Sequence, residues 1–302
     1  MLQLGIGTSM PLPPSVEMLT SIQNADGGWC YAAGSSWTEP TALALLAMMS
    51  RPHRSDAFDR GIRWLTALRR ADGGWPPSPN VAESTWVTAL AATVLAESGQ
   101  LQSSDSSIDW LLNQTGRESS VVHRLRRWML GIQSEYGEQQ DGWPWFPGAA
   151  AWVSPTASTI VALQKVQKRH PRPEILARIH EGQEFLLART CRDGGWNHGS
   201  SRALGYESDS YPETTGLALV ALRGVQSPRI ARALVCAEKH LNTCRSSVAL
   251  SWLHLGLLAH GTVPPSLFVA AGSSRDEHLN AIGLSLRIIA HAAENGRNAF
   301  LS

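Results

Sequence analysis

In FDRGIRWLTALRRADGGW, residues 58–75, two signals follow one another. Phe58, Ile62, Leu65 and Leu68 recur at helical spacing among Arg and Asp side chains, which marks an amphipathic helix. The helix then runs into Asp72-Gly73-Gly74-Trp75, where paired glycines reach backbone conformations closed to other residues and reverse the chain. The same tetrad stands at Asp26–Trp29 and Asp193–Trp196, with a shortened copy at Asp141–Trp143. Self-similarity of this kind is the mark of a chain built from stacked supersecondary units.

Each copy is followed by a second helical pattern that opens alike: Glu39-Pro40-Thr41, Glu83-Ser84-Thr85, Ser154-Pro155-Thr156 and Glu213-Thr214-Thr215. Six residues past the last Thr comes Ala47, Ala91, Ala162 or Ala221, preceded by Leu46, Leu90, Val161 or Val220. These second helices, such as Thr41 to Met49, are apolar nearly all round, so they are buried on several sides. The amphipathic helices therefore form an outer layer and the apolar ones an inner ring. The fold expected is all-α, an α/α toroid of five to six helix pairs. Outer segments are expected near 15–24, 55–70, 120–134, 172–190 and 228–242, and inner segments near 39–50, 83–98, 154–168, 213–224 and 246–260. A helix at 104–114 is an extra or the first half of a broken outer helix, and one at 276–293 has the mixed pattern of an outer or closing element.

The 302 residues are 43% hydrophobic and only 17% charged, which suits a fold with one helix layer hidden behind another. A formal net charge of +1 gives nothing to steer nucleic acid or anionic membrane toward the chain. Cys30, Cys191, Cys236 and Cys244 show no framework or CxxC spacing, so reduced thiols without a metal are expected. The first fourteen residues lack Lys and Arg, which argues against a signal peptide, and the longest apolar run, Ala42 to Met49, is too short to cross a bilayer. A cytoplasmic location is the expectation. The turn-rich stretches at 76–80 and 261–266 fall where the repeat already needs a loop, so one domain is expected over 1–302, with 1–14 irregular.

Arg60-Gly61-Ile62-Arg63-Trp64-Leu65 followed by Gly73-Gly74-Trp75 resembles the repeat of squalene–hopene and oxidosqualene cyclases. Further copies are Glu181 to Leu186 before Trp196, Trp128-Met129 and Gln133 before Trp143, and a fainter one at Gln23 and Trp29. The repeat's glutamine is kept at Gln23 and Gln133 and replaced by Arg69 and Thr190. The resemblance covers about residues 15–225. It implies the toroid fold and an isoprenoid or other apolar small-molecule ligand in a central cavity. Triterpene cyclases have two such barrels and an Asp-x-Asp-Asp acid; this chain has one barrel's length and only Glu207-Ser208-Asp209-Ser210. Protein prenyltransferase beta subunits use an Asp-x-Cys zinc pair and a later His, where this chain has Asp209-Ser210-Tyr211 and so lacks the thiolate.

Glu39, Glu83 and Glu213 recur at inner-helix starts, and Asp209 lies four residues before Glu213. Turned inward they form an acidic rim over an apolar lumen; turned outward they cap helices. The candidate catalytic residues are Glu83, Asp209 and Glu213, at a mouth where unpaired helix N–H groups gather and Trp86 or Trp152 lies deeper. Cys191, Asp193 and His198 have no standard ligand spacing, His254 and His260 cannot stand side by side on a helix, and no cofactor or metal is expected. The basic runs Arg124-Leu125-Arg126-Arg127 and Lys165 to Arg169 read as solvated helix ends. Three function classes remain open: a barrel that binds or transforms an isoprenoid-like ligand, a non-catalytic scaffold with a protein partner, and a carbohydrate-active toroid enzyme.

Overall fold

A computed structural model describes residues 15–301 apart from 51–54, 103, 121–124, 126–128, 131–140, 200, 201, 204, 205 and 266–279. Its helices are α1 (Val16–Ser21), α2 (Thr38–Met49), α3 (Asp56–Ala67), α4 (Val87–Glu97), α5 (Ser106–Asn113), α6 (Val153–Arg169), α7 (Pro173–Ala188), α8 (Pro212–Ala221), α9 (Pro228–Thr243), α10 (Ser247–Ala259) and α11 (Ala281–Glu294). A two-residue hairpin pairs Arg202–Ala203 with Tyr206–Glu207.

Six of these helices form a closed ring: α2, α4, α6, α8, α10 and α11 each pack on the next, and α11 returns to α2. Nearly every residue of α4 and α8 is buried, as their lack of a polar face requires. The ring therefore closes with six inner helices. Its last member is the helix expected at 276–293 as an outer or closing element. Arg287 and Ser285 gave it a mixed pattern, yet both are buried within it. Hydroxyls on the inner helices bond back one turn, Thr93 to the Ala89 carbonyl and Thr159 to that of Pro155, so they enter the core without unmet polarity.

The tryptophan turns join the layers by a repeated set of bonds. The backbone N–H of Trp29, Trp75, Trp143 and Trp196 donates to Oγ1 of Thr41, Thr88, Thr156 and Thr215 at 2.8–3.0 Å. Their indole N–H groups donate to the carbonyls of Leu19, Leu65, Leu111 and Leu186 at 2.7–2.8 Å. All four indoles are buried plugs between an outer helix and its inner partner.

Two parts of the repeat reading change on this pattern. In the second pair the matching residue is Thr88, not Thr85, because it is Thr88 that accepts from Trp75. The small residue common to all four copies is then the next one, Ala42, Ala89, Ala157 and Gly216. Gly216 shows what the position is for: a Cβ there would lie 2.3 Å from the α10 backbone. In the third pair the outer helix is α5, since Trp143 reaches Leu111. The expected outer segment at 120–134, with Trp128 and Gln133, falls largely outside the described residues.

Arg69 replaces the repeat's glutamine without loss of its task. Gln23 donates to the Ala57 carbonyl of the next outer helix, and Arg69 pairs with Asp105, which caps α5. Positive φ at Gly73 and Gly194 confirms the reason for glycine in the turn, and each lies against the next outer helix at Ser106 or Arg232.

Candidate functional site

The inner-helix N-termini meet at one end of the ring, and the structure stitches them together there. Thr38 donates its N–H to the Pro77 carbonyl, Trp86 to that of Trp145 and Val153 to that of His198, all at 2.9–3.0 Å. Those amides are thus occupied by neighbouring loops, and they do not supply the free donors expected at the mouth. What the stitching does is hold side chains from consecutive pairs at a common level.

Those side chains are mostly aromatic. Tyr31 meets Trp37 edge-on at 5.5 Å, Trp86 meets Trp145 edge-on at 4.9 Å, and His198 lies between Trp152 at 6.4 Å and Tyr211 at 5.0 Å. Trp152 is 38% exposed and Tyr211 51% exposed, so part of this rim is open. Trp152 is therefore at the surface of the mouth and not deep within it, while Trp86 is half-buried.

Two carboxylates stand in the rim on different inner helices. Glu39 starts inner helix α2 and Glu213 starts α8, the first and fourth members of the six, so they sit on opposite sides of the ring. Burial pushes the Glu39 carboxyl above the usual carboxylate range; the Tyr31 hydroxyl, donating to Oε2 at 2.5 Å, pulls it down, and repulsion from Glu213 raises it. Burial also raises Glu213, against a lowering by His198. Glu213 remains reachable by solvent although protein surrounds it, as expected for a group lining an open mouth. Among the described residues neither carboxylate forms an ion pair with Lys or Arg. The Tyr31 hydroxyl is itself held far above its ordinary value, mainly by burial and then by Glu39, so it stays a donor.

Of the acids expected from the sequence, Glu213 is in this group, while Glu83 and Asp209 are not. Glu83 is exposed in the loop before Trp86, which occupies the position that Glu39 and Glu213 hold in their own copies. The three-residue register change in the second pair accounts for this. Asp209 is three-quarters exposed and lies 3.4 Å from Arg192. The reason is the next residue: Ser210 turns inward to donate to Asp193, which sends Asp209 outward. Glu39, the acid that the sequence set among the rim residues without singling it out, is the partner Glu213 acquires.

The Cys191, Asp193 and His198 group does not assemble. His198 faces the aromatic rim, whereas Cys191 is buried, its thiol pushed up to about 11 by desolvation. Potential metal donors gather elsewhere: Asp193, Cys236 and His240 have ligand atoms within 4.8 Å of one another on the outer layer. Spacing along the sequence points to no metal site; this group forms because the fold brings Asp193 to a helix 43 residues on, where Cys236 and His240 lie four apart.

No protein-family model and no curated protein matches the chain. Solved structures do. The type II terpene cyclase MstE from Scytonema superposes with a TM-score of 0.58 at 16% identity, covering 93% of this chain and 96% of that one. A GH8 endo-beta-1,4-glucanase from an Achatina fulica gut metagenomic library gives 0.59 at 15% identity over 98% and 100%. The ent-copalyl diphosphate synthase from Streptomyces platensis gives 0.55 at 15% identity, covering 85% of this chain and 50% of that one. The chain has an α/α-toroid fold. Its structural neighbours include type II terpene cyclases, in keeping with the resemblance read from the tryptophan repeat, and other structures of the Scytonema enzyme carry geranylgeranyl dihydroxybenzoate as substrate or merosterolic acid A as product.

Proposed function

We propose that the aromatic mouth of the ring binds an isoprenoid-like, largely apolar small molecule, with Glu39 as the group that can supply a proton. The observation that carries this reading is the pair of opposed carboxylates, Glu39 and Glu213, in a rim of Trp37, Trp86, Trp145, Trp152 and Tyr211. A carboxyl whose proton affinity is raised by burial and by a second carboxylate is an acid suited to attack by an alkene π bond. In such a step the O–H bond breaks, a C–H bond forms, and positive charge develops on the far alkene carbon. Indole and phenol faces stabilise that charge, and loss of a proton from the product cation completes the balance. This acid would stand in place of the Asp-x-Asp-Asp cluster that the chain lacks. Glu83 and Asp209 take no part in this version of the site.

A glycan-active reading stands second, since two carboxylates flanking a cleft also serve glycoside hydrolysis and a glucanase shares the fold. Binding measurements divide the readings. Isoprenoid alcohols and diphosphates, triterpenes and β-1,4-gluco-oligosaccharides are titrated separately against the full chain. The proposal expects saturable 1:1 binding of an isoprenoid, weakened about 10-fold or more by Trp86→Ala, with Asp209→Asn and Glu83→Gln unchanged. Glu39→Gln should retain binding and abolish any turnover. Oligosaccharide binding alone would favour the second reading, and binding of neither class would favour a scaffold that meets a protein partner.

A further inference from the structure

We infer that Asp193, Cys236 and His240 form a structural metal site, of zinc type, that clips outer helix α9 to the fourth tryptophan turn. Cys236 and His240 are four apart on one face of α9, and their ligand atoms lie within 4.8 Å of each other and of an Asp193 carboxylate oxygen. Ser210 completes the group, its Oγ 2.8 Å from Asp193 Oδ2, 2.7 Å from His240 Nε2 and 3.4 Å from Cys236 Sγ. Cys236 is 3% exposed and Ser210 6% exposed, so the cluster is closed to solvent on the ring side. A thiol, an imidazole and a carboxylate together are the donor set of zinc sites.

Comparison among the pairs separates what the turn needs from what is added. In the first and second pairs an Asp–Ser bond also braces the turn, Asp26 with Ser36 and Asp72 with Ser84. The residue of the next outer helix that faces the first glycine of the turn sets the register, because Gly27, Gly73 and Gly194 lie against the carbonyls of Arg60, Ser106 and Arg232. Four residues further on stand Trp64, Trp110 and Cys236, and eight further on Leu68, Gln114 and His240. Trp64 donates its indole N–H to Asp26, which is how an ordinary copy fills the place. There the turn and helix enclose only a crevice lined by Asp26, Arg63, Trp64, Ala67 and Leu68. The fourth copy therefore keeps the bracing Asp–Ser pair and exchanges an indole and an apolar or amide side chain for two metal-binding ones.

Binding requires the Cys236 thiolate, so the thiol proton leaves to solvent as the ion enters. The Ser210 hydroxyl holds the fourth corner or yields it to a water. Such a clip fixes α9 from outside the ring, and it is independent of any ligand at the mouth.

The test uses the full-length chain stripped by chelator and titrated with Co2+ alone, then with Zn2+ in competition. The expected result is 1:1 uptake, a thiolate-to-cobalt charge-transfer band in the near ultraviolet, and displacement by Zn2+. Cys236→Ser should abolish the band and weaken Zn2+ binding about 100-fold or more, and His240→Ala should weaken it comparably, whereas Cys30→Ser and Cys244→Ser should change neither. A double variant, Cys236→Trp with His240→Leu, copies the first pair and should fold without binding metal, which guards against loss through misfolding. Absence of 1:1 uptake by the folded wild-type chain, or a band that survives Cys236→Ser, overturns the site and leaves a hydrogen-bonded cluster.

Discussion

At the C-terminal end of the inner ring, acidic side chains have basic partners. Lys165 donates to Glu97 at 2.7 Å between α6 and α4, and His254 lies 2.8 Å from Glu294 between α10 and α11, with His291 at 3.3 Å on the other carboxylate oxygen. At the N-terminal end Glu39 and Glu213 oppose each other with like charge, moderated by a tyrosine and a histidine. The two ends are made by the same six helices, so the repeat does not dictate the difference. The Lys165–Glu97 ion pair at the base holds neighbouring helices together, whereas repulsion between the carboxylates at the mouth costs stability. That asymmetry is the argument for placing function at the mouth.

The comparison is broken most directly by removing one charge from each end. Lys165 is nearly fully buried, and Lys165→Met removes the ion pair that Glu97 makes at 2.7 Å, against the 3.9 Å of its pair with Arg169. Loss of a partner from a buried pair costs several kcal/mol; with Glu97 one-fifth exposed, about 3 kcal/mol is expected. Glu213→Gln should cost less than about 0.5 kcal/mol or stabilise slightly, since it removes a repulsion. Urea unfolding of the two variants decides the point, and equal losses would remove the distinction between the ends.

The second effect concerns the turns that lead into the mouth. Gly194 has φ of 102° and a Cβ there would lie 2.9 Å from the Arg232 carbonyl. Gly194→Val should destabilise the fold by about 2 kcal/mol through strain at the turn. A urea midpoint equal to that of the unaltered chain would show that the turn relaxes at no cost.

How much of this was legible in the sequence follows the distance over which each feature is determined. The layers were readable because an apolar helix such as α8 and an amphipathic one such as α3 differ within a dozen residues. The number of inner helices was not, because Arg287 and His291 mimic a polar face on a helix that closes the ring. Glu213 could be placed from its copy of the repeat, yet Glu83 was misplaced by the Thr85 and Thr88 ambiguity, which only the bond from Trp75 resolves. Asp209 was misplaced because alternation next to Ser210 depends on the Asp193 contact seventeen residues earlier. The metal-binding trio had one local signal, the Cys236 and His240 spacing on a single helix face, and its third member is brought in by the fold alone.

The two ends should also titrate in opposite directions. A carboxyl whose folded value is raised binds its proton more tightly in the native state, so its contribution is present below the ordinary value of 4.5 and is lost as pH rises through the folded value. His254 is lowered by burial, against a rise from Glu294; its contribution is present above 6.5 and is lost as pH falls through the folded value. Wild-type stability should therefore fall at the mouth on going from pH 4.5 toward neutrality, and Glu39→Gln should flatten that limb. His254→Gln should leave that limb intact and alter the dependence below pH 6.5. Stability curves at closely spaced pH values test both, and a Glu39→Gln curve parallel to wild type would remove Glu39 from the group.

The smallest effect isolates Tyr31. Its hydroxyl donates to Glu39, and a hydrogen bond to the charged form of a carboxyl lowers its proton affinity. Tyr31→Phe removes that donor, so the proton affinity of Glu39 should rise further and the falling limb of the stability curve should move to higher pH. Below that limb Glu39 is protonated in both proteins, and because Tyr31 is 36% exposed the lost bond should cost only about 0.5 kcal/mol there. The change is thus a limb that reaches to higher pH and ends lower, with little change in the plateau below it, unlike Lys165→Met, which should already lower stability at neutral pH through the lost ion pair with Glu97. It also bears on the proposed chemistry: an acid released from Tyr31 stays protonated to higher pH, so any proton-initiated turnover should persist to higher pH in Tyr31→Phe. A limb that does not move in Tyr31→Phe, while Glu39→Gln abolishes it, would show that Glu213 and burial alone set the proton affinity of Glu39.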